Sequence, residues 1–239
     1  MALRWSLARL FEPFQGRGAR ADAARTAVAQ TRFVVLDVET SGLDPRADAL
    51  LSIGAVAVSG AAIRPADSIE LVLRQAVASS HDNILVHGIA EGQQRMGVPA
   101  DEAMRLFSAF VGKAVLVAYH ADFDRQFLER AARDACGAVP QWTWIDAAWL
   151  APALLNLDCG NRQPLDAWCM AYGISHIARH NAASDALATA ELFLILLERA
   201  ARQGIHTVGE LRARAESERR LARFKPGYPP LRKYGLTQR

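Results

Sequence analysis

Phe33-Val34-Val35-Leu36-Asp37-Val38-Glu39-Thr40 decides how this chain is read. Four apolar residues, mostly β-branched or aromatic, run into two carboxylates, and Ser41-Gly42-Leu43-Asp44-Pro45 then stops the run with turn chemistry, the pattern of a buried strand. Residues two apart on a strand share a face, about 6.6 Å apart, so Asp37 and Glu39 point the same way at the strand's carboxyl end. Two ionised carboxylates that close repel each other unless a cation lies between them, and a hard divalent metal is one partner that fits. The other reading is a solvated strand terminus with one carboxylate capping the turn.

Composition narrows the classes. The 239 residues are 51% hydrophobic, enough for one good core, and the length suits one domain with extensions. No run approaches the ~20 uninterrupted apolar residues of a membrane span, and Arg4 and Arg9 interrupt the early apolar stretch before a secretory core can form. Cys136, Cys159 and Cys169 are odd in number and lack Cys-x-x-Cys spacing, so they read as buried free thiols of a reducing, cytoplasmic compartment. Residues 1–32 carry a net charge of +4 and residues 211–239 a net of +7, which leaves 33–210 at −8 against the whole-chain +3. An acidic body flanked by basic arms suits a polyanionic substrate, although basic tails also serve solubility alone.

Outward from the first strand, Leu3, Leu7, Leu10, Phe11 and Phe14 are spaced for a short amphipathic helix inside a basic N-terminal extension, 1–32. Strands are expected at 50–58 and 69–73, an irregular segment at 83–89, a helix at 101–111, and a strand at 114–118 followed by a helix at 123–136. A fifth strand at 142–146, helices at 147–155 and 164–173, and a long buried helix at 182–200 with Asn181 as N-cap complete the 33–205 domain. Short connections early and strand-helix alternation later make this an α/β protein with a mixed five-stranded sheet and helices on both faces. Beyond 205 charge dominates, and Pro226, Pro229 and Pro230 argue for a basic tail, 206–239, without a long element.

Three places gather ionisable groups at the end of an element: Asp37-Val38-Glu39-Thr40, Tyr119-His120-Ala121-Asp122-Phe123-Asp124, and His180-Asn181-Ala182-Ala183-Ser184-Asp185. In order and spacing these resemble the three motifs of the DEDDh 3′–5′ exonuclease family, which includes the proofreading subunit of bacterial DNA polymerase III and has a ribonuclease H-like fold. The resemblance covers 33 to about 200, and the His-x4-Asp spacing makes it specific. It implies two-metal hydrolysis that releases nucleoside monophosphates from a nucleic-acid 3′ end. Two Mg²⁺ ions about 4 Å apart would supply the hydroxide and stabilise charge on the phosphate and leaving oxygen, with Mn²⁺ able to substitute. By resemblance Asp37 bridges the metals, Glu39 and Asp185 complete the site of the nucleophilic water, Asp124 holds the second metal partly through water, and His180 is the general base, its ordinary pKa of ~6.5 suiting that task. Taken singly, Asp124 and Asp185 also suit helix N-termini and His180 a surface position.

The resemblance further makes Thr40 a contact for the 3′ hydroxyl, Leu43 a packing surface for the last base, and His87, in His87-Gly88-Ile89, a neighbour of the same nucleotide. Leu43 can equally be a core residue and His87 a satisfied loop histidine. The family's second motif often begins His-Asn; here Tyr119-His120 stands there, so His120 is the candidate that grips sugar or phosphate. Single-stranded DNA is the expected substrate, with an RNA-trimming exoribonuclease or a non-catalytic nucleic-acid-binding module as alternatives. No clamp-binding or polymerase-binding peptide stands out in either tail, so a DNA polymerase or other protein partner docked there is an expectation of the resemblance alone. Neither Gly-x-Gly-x-x-Gly nor a P-loop follows the first strand, which removes the nucleotide-dependent classes.

Overall fold

The computed structural model describes residues 24–155, 163–175, 178–222 and 224. The amphipathic helix expected at 1–16, Cys159 and the prolines at 226, 229 and 230 lie outside these residues. The elements run β1 (Phe33–Thr40), β2 (Leu50–Ser59), β3 (Ala62–Val72), α1 (His81–His87), α2 (Glu91–Met96), α3 (Ala100–Val111), β4 (Val115–Ala118), α4 (Ala121–Cys136), β5 (Thr143–Asp146), α5 (Ala147–Leu154), α6 (Leu165–Tyr172), α7 (Ala182–Arg202) and α8 (Val208–Ala222). The five strands form one sheet in the order β3-β2-β1-β4-β5. β1, β2 and β3 pair antiparallel, while β1, β4 and β5 pair parallel, so the mixed sheet expected from the sequence is the one found.

β1 is buried on both faces, and its alternation sorts the two layers. Phe33 and Val35 pack with Phe193 and Leu196 of α7, the rings of Phe33 and Phe193 meeting edge to face at 5.0 Å. Val34, Leu36 and Val38 face the other way, toward Met104 and Phe107 of α3 and Phe127 and Leu128 of α4. A central strand covered on both sides needs apolar residues at consecutive positions, which is why this run lacks the polar alternation of a half-exposed strand. Asp37 and Glu39 inherit the parity of Phe33 and Val35 and so end up on the α7 side.

β3 begins earlier than expected. A two-residue turn, Gly60-Ala61, with φ of 59° and 56°, joins it to β2, so that Ser59 pairs with Ala62. Both positive angles suit the twist of the two strands. The Arg64-Pro65-Ala66-Asp67 stretch looked like a loop because it is polar and carries proline; it sits on an edge strand, where both are tolerated. The register jumps there from Val56↔Ser68 to Ala57↔Arg64, so Pro65 to Asp67 bulge out of the ladder. Arg32 holds the bulge by donating to both carboxylate oxygens of Asp67, at 2.8 and 2.9 Å.

The boundary expected near residue 205 is corrected. Residues 208–222 form α8, which packs on α5 and β5 and buries Val208, Leu211, Ala215 and Ala222 in the same core as Phe33 and Phe193. The apolar positions recur at helical spacing, but four arginines and three glutamates between them hide the pattern, and the prolines come after the helix. Arg214 donates to the carbonyl of Ala153 at 2.6 Å, fastening α8 to α5. Part of the expected N-terminal extension is also fastened here, since Val28 N–H donates to His206 O and Val208 N–H to Thr26 O. No described helix is long and apolar enough to cross a membrane.

Leu211 is fully buried, so Leu211→Ala should cost about 2–5 kcal/mol of unfolding free energy. A cost near zero in urea denaturation would show that α8 is not part of the folded body.

Candidate active site

Asp37 stands opposite Gly54 in the β1–β2 ladder, and Glu39 opposite Ser52. Above Gly54 the backbone of α7 comes down onto the sheet. A Cβ at this position would lie 2.2 Å from the carbonyl carbon of Ala182 and the nitrogen of Ala183, well inside any contact distance. The missing side chain is therefore what lets the first turn of α7 reach the carboxyl end of β1.

That turn is held at several points. Asn181 caps α7, its side-chain oxygen accepting from Ser184 N–H at 3.0 Å. Ser184 Oγ in turn accepts from Ala178 N–H at 3.0 Å, closing a small loop around His180. His180 has φ of 57°, a conformation disfavoured for a residue with a Cβ, and the two bonds that flank it hold it there. Asn181 Nδ2 also donates to Glu70 on β3 at 3.4 Å, so the helix cap is tied to the sheet at the residue that follows the histidine.

Asp185, in the first turn of α7, consequently meets the two acids of β1. Asp37, Glu39 and Asp185 each present a carboxylate oxygen within 4.8 Å of the others, and all three residues are buried. The positive end of α7 favours one charge there but cannot balance three. Carboxylates gathered this closely favour a cation, and three hard oxygen donors suit a divalent metal of the magnesium or calcium type. The structure thus brings together three of the four expected ligands. Asp124 lies in the first turn of α4, is 0% exposed, and falls outside the group of three.

His120, half-buried, is the N-cap of α4 and has φ of 69°. Its N–H donates to Asp146 Oδ1 at 3.1 Å, and the same oxygen accepts from Ala148 N–H at 2.9 Å, so one carboxylate organises the starts of α4 and α5. At the end of β1, Thr40 Oγ1 donates to Gly42 O at 2.6 Å, and Leu43 stands 49% exposed on the turn that follows.

The expected irregular segment at 83–89 is instead α1, begun by Ser80, which accepts from Asn83 N–H, and ended by Gly88 at φ of 71°. His87 lies inside it at 3% exposure. Its Nδ1 accepts from Ile89 N–H at 2.9 Å, which leaves Nε2 protonated to donate to Asn83 Oδ1 at 2.8 Å. Asn83 Nδ2 then reaches Thr40 O at 3.3 Å. The ring braces α1 against the end of β1, which corrects the expectation that it meets a nucleotide directly. Burial, the larger effect, pushes its pKa below the ordinary histidine value.

Residues 34–193 match the family model described as Exonuclease. The chain belongs to the exonuclease family. The exonuclease chain is 31% identical over 179 residues to the PolC-type DNA polymerase III of Thermotoga maritima, a match covering 75% of this chain and 13% of that one. It is also 31% identical over 211 residues to a DNA polymerase III subunit epsilon-like protein of Rhodobacter capsulatus, covering 87% and 30%. The chain therefore spans less than a third of the length of these relatives. Among solved structures, E. coli exonuclease I in complex with a dT13 oligonucleotide superposes with a TM-score of 0.61 at 19% identity, covering 73% of this chain and 42% of that one. That likeness extends the family assignment to the ribonuclease H-like fold.

In this exonuclease, Gly54 is the residue that motif reading passes over. Its signal was present, a lone glycine inside an apolar strand, which marks close backbone approach. Gly54→Val should displace the head of α7 and weaken Mn²⁺ binding by about 10–100-fold, the range in which lost support of metal ligands acts; calorimetry with unchanged Mn²⁺ affinity would contradict this account. A histidine buried neutral costs stability once it must charge, so stability should be full above pH ~6.5 and fall below it. His87→Gln should flatten that fall, as read from thermal midpoints between pH 7.5 and 5.5.

Proposed function

We propose that the chain is a metal-dependent 3′–5′ exonuclease that releases nucleoside monophosphates from single-stranded DNA. The observation that carries the proposal is the convergence of Asp37 and Glu39 of β1 with Asp185 of α7 in one buried group, with His180 immediately before the N-cap of that helix. Family membership supplies the reaction class, and the names of the polymerase relatives favour DNA over RNA.

Asp37, Glu39 and Asp185, with Asp124 as a further carboxylate, would hold Mg²⁺, and Mn²⁺ would substitute for it. Bound divalent metal supplies Lewis-acid stabilisation of phosphate charge and a more acidic water. His180 takes the proton of the attacking water as general base. It stands immediately ahead of the helix N-cap, and the Asn181–Ser184 bond fixes the backbone that follows it. The half-exposed Leu43 packs on the terminal base, Thr40 at the same turn meets the 3′ hydroxyl, and His120 at the head of α4 contacts the sugar or phosphate.

The whole protein's working context is also a proposal: trimming or proofreading of DNA in the cytoplasm, beside a polymerase or another protein partner bound through the basic terminal segments. The 33–205 boundary proposed for the catalytic unit is extended to include α8.

The purified protein should release mononucleotides from the 3′ end of single-stranded DNA with Mg²⁺ or Mn²⁺, stop in chelator, and spare a blocked 3′ end. Internal fragments, or faster release from matched RNA, would redirect the assignment. His180→Ala should slow release by about 10²–10⁴-fold while calorimetric Mn²⁺ affinity is retained; loss of metal binding would make the histidine a ligand instead.

A further inference from the structure

A concavity of about 110 Å³ opens between the head of α4, the β5–α5 junction and α8. It belongs to the same edge of the sheet as the carboxylate group, because β4 and β5 run parallel to β1 and deliver Ala121 and Asp146 to it from their carboxyl ends. β5 lies two strands from β1, about 10 Å at ~4.8 Å per strand. That is the span of roughly three stacked nucleotides at ~3.4 Å each.

The charges that line it are unevenly committed. Asp122 is paired with Arg219 at 2.7 Å, and Arg125 with Glu129 at 2.6 Å. Asp146 Oδ1 is occupied by the backbone N–H groups of His120 and Ala148. Arg212, half-buried on α8 and facing the concavity, has no hydrogen bond or ion pair among the described residues. Trp144, also half-buried, supplies an aromatic wall, and exposed Glu216, one turn along α8 from Arg212, is the acid on the same rim. An uncommitted guanidinium beside an indole is suited to a phosphodiester and its base.

We infer that this cleft seats the single-stranded DNA backbone upstream of the 3′-terminal nucleotide, with Arg212 on a phosphate and Trp144 against a base. The inference rests on the exonuclease reading only in placing the 3′ end at Asp37. It makes α8, which lies outside the 34–193 family match, a part of the substrate surface.

The full chain, Arg212→Ala and Glu216→Gln would be compared on (dT)10 and on the 4-nitrophenyl ester of thymidine 5′-monophosphate, which is too short to reach the cleft. Arg212→Ala should lower the ratio of kcat/KM on (dT)10 to that on the ester about tenfold, the loss of one charge-assisted contact. It should also reduce the slope of log affinity against log salt by about 0.7, read from the anisotropy of fluorescein-labelled (dT)10 in chelator. Glu216→Gln should shift the ratio the opposite way, about twofold, because an anion on the rim repels phosphate. An unchanged ratio, equal losses on both substrates, or an unchanged salt slope would overturn the inference. If the wild-type chain hydrolyses neither substrate, the exonuclease reading falls by itself, and the anisotropy series still decides whether the cleft binds the strand.

Discussion

Three carboxylates in one buried group repel one another, and the fold must force them together before any cation can reward it. That force comes from the descent of α7 onto the sheet over Gly54, where no side chain intervenes between helix backbone and strand. The helix can lie so close because the apolar residues further along it, including Leu192, Phe193 and Leu196, bury against β1 and its neighbours. Hydrophobic burial along the length of α7 thus opposes electrostatic repulsion at its head. Each CH₂ buried contributes about 0.8 kcal/mol, so a helix with this many core residues can hold an unfavourable charge cluster at one end.

Most of this was legible in the sequence where two levels of pattern agreed. β1 could be read because a run of apolar residues, a turn signal and two same-face acids coincide within a dozen positions. The three motifs could be read because each falls where a strand ends or a helix begins, and the acids of two of them do converge in space. The sequence said less wherever tertiary context overrode local preference. α8 was hidden because its buried face uses two alanines, a leucine and a valine among charged residues, too weak a signal until α5 and β5 are there to cover it. β3 was shortened because proline and charge mean loop unless the strand is known to be an edge.

His87 shows the opposite difficulty. A histidine in a loop beside a site invites a functional role, and only the hydrogen bonds of both ring nitrogens reveal that the imidazole is structural. Asn83 passes that order on to the carbonyl of Thr40, so the turn beside the acids is stiffened by a residue that does not face the opening.

The bulge in β3 has a consequence of a different kind. An edge strand offers a row of unpaired amides to any other extended chain, and a long one invites sheet-to-sheet growth. Here the ladder is broken from Pro65 to Asp67, proline removes one donor, and Arg32 pins the displaced segment through Asp67. A foreign strand arriving at this edge finds no continuous register to follow, so the same residues that defeat a simple strand pattern also guard the protein against aggregating through its open side.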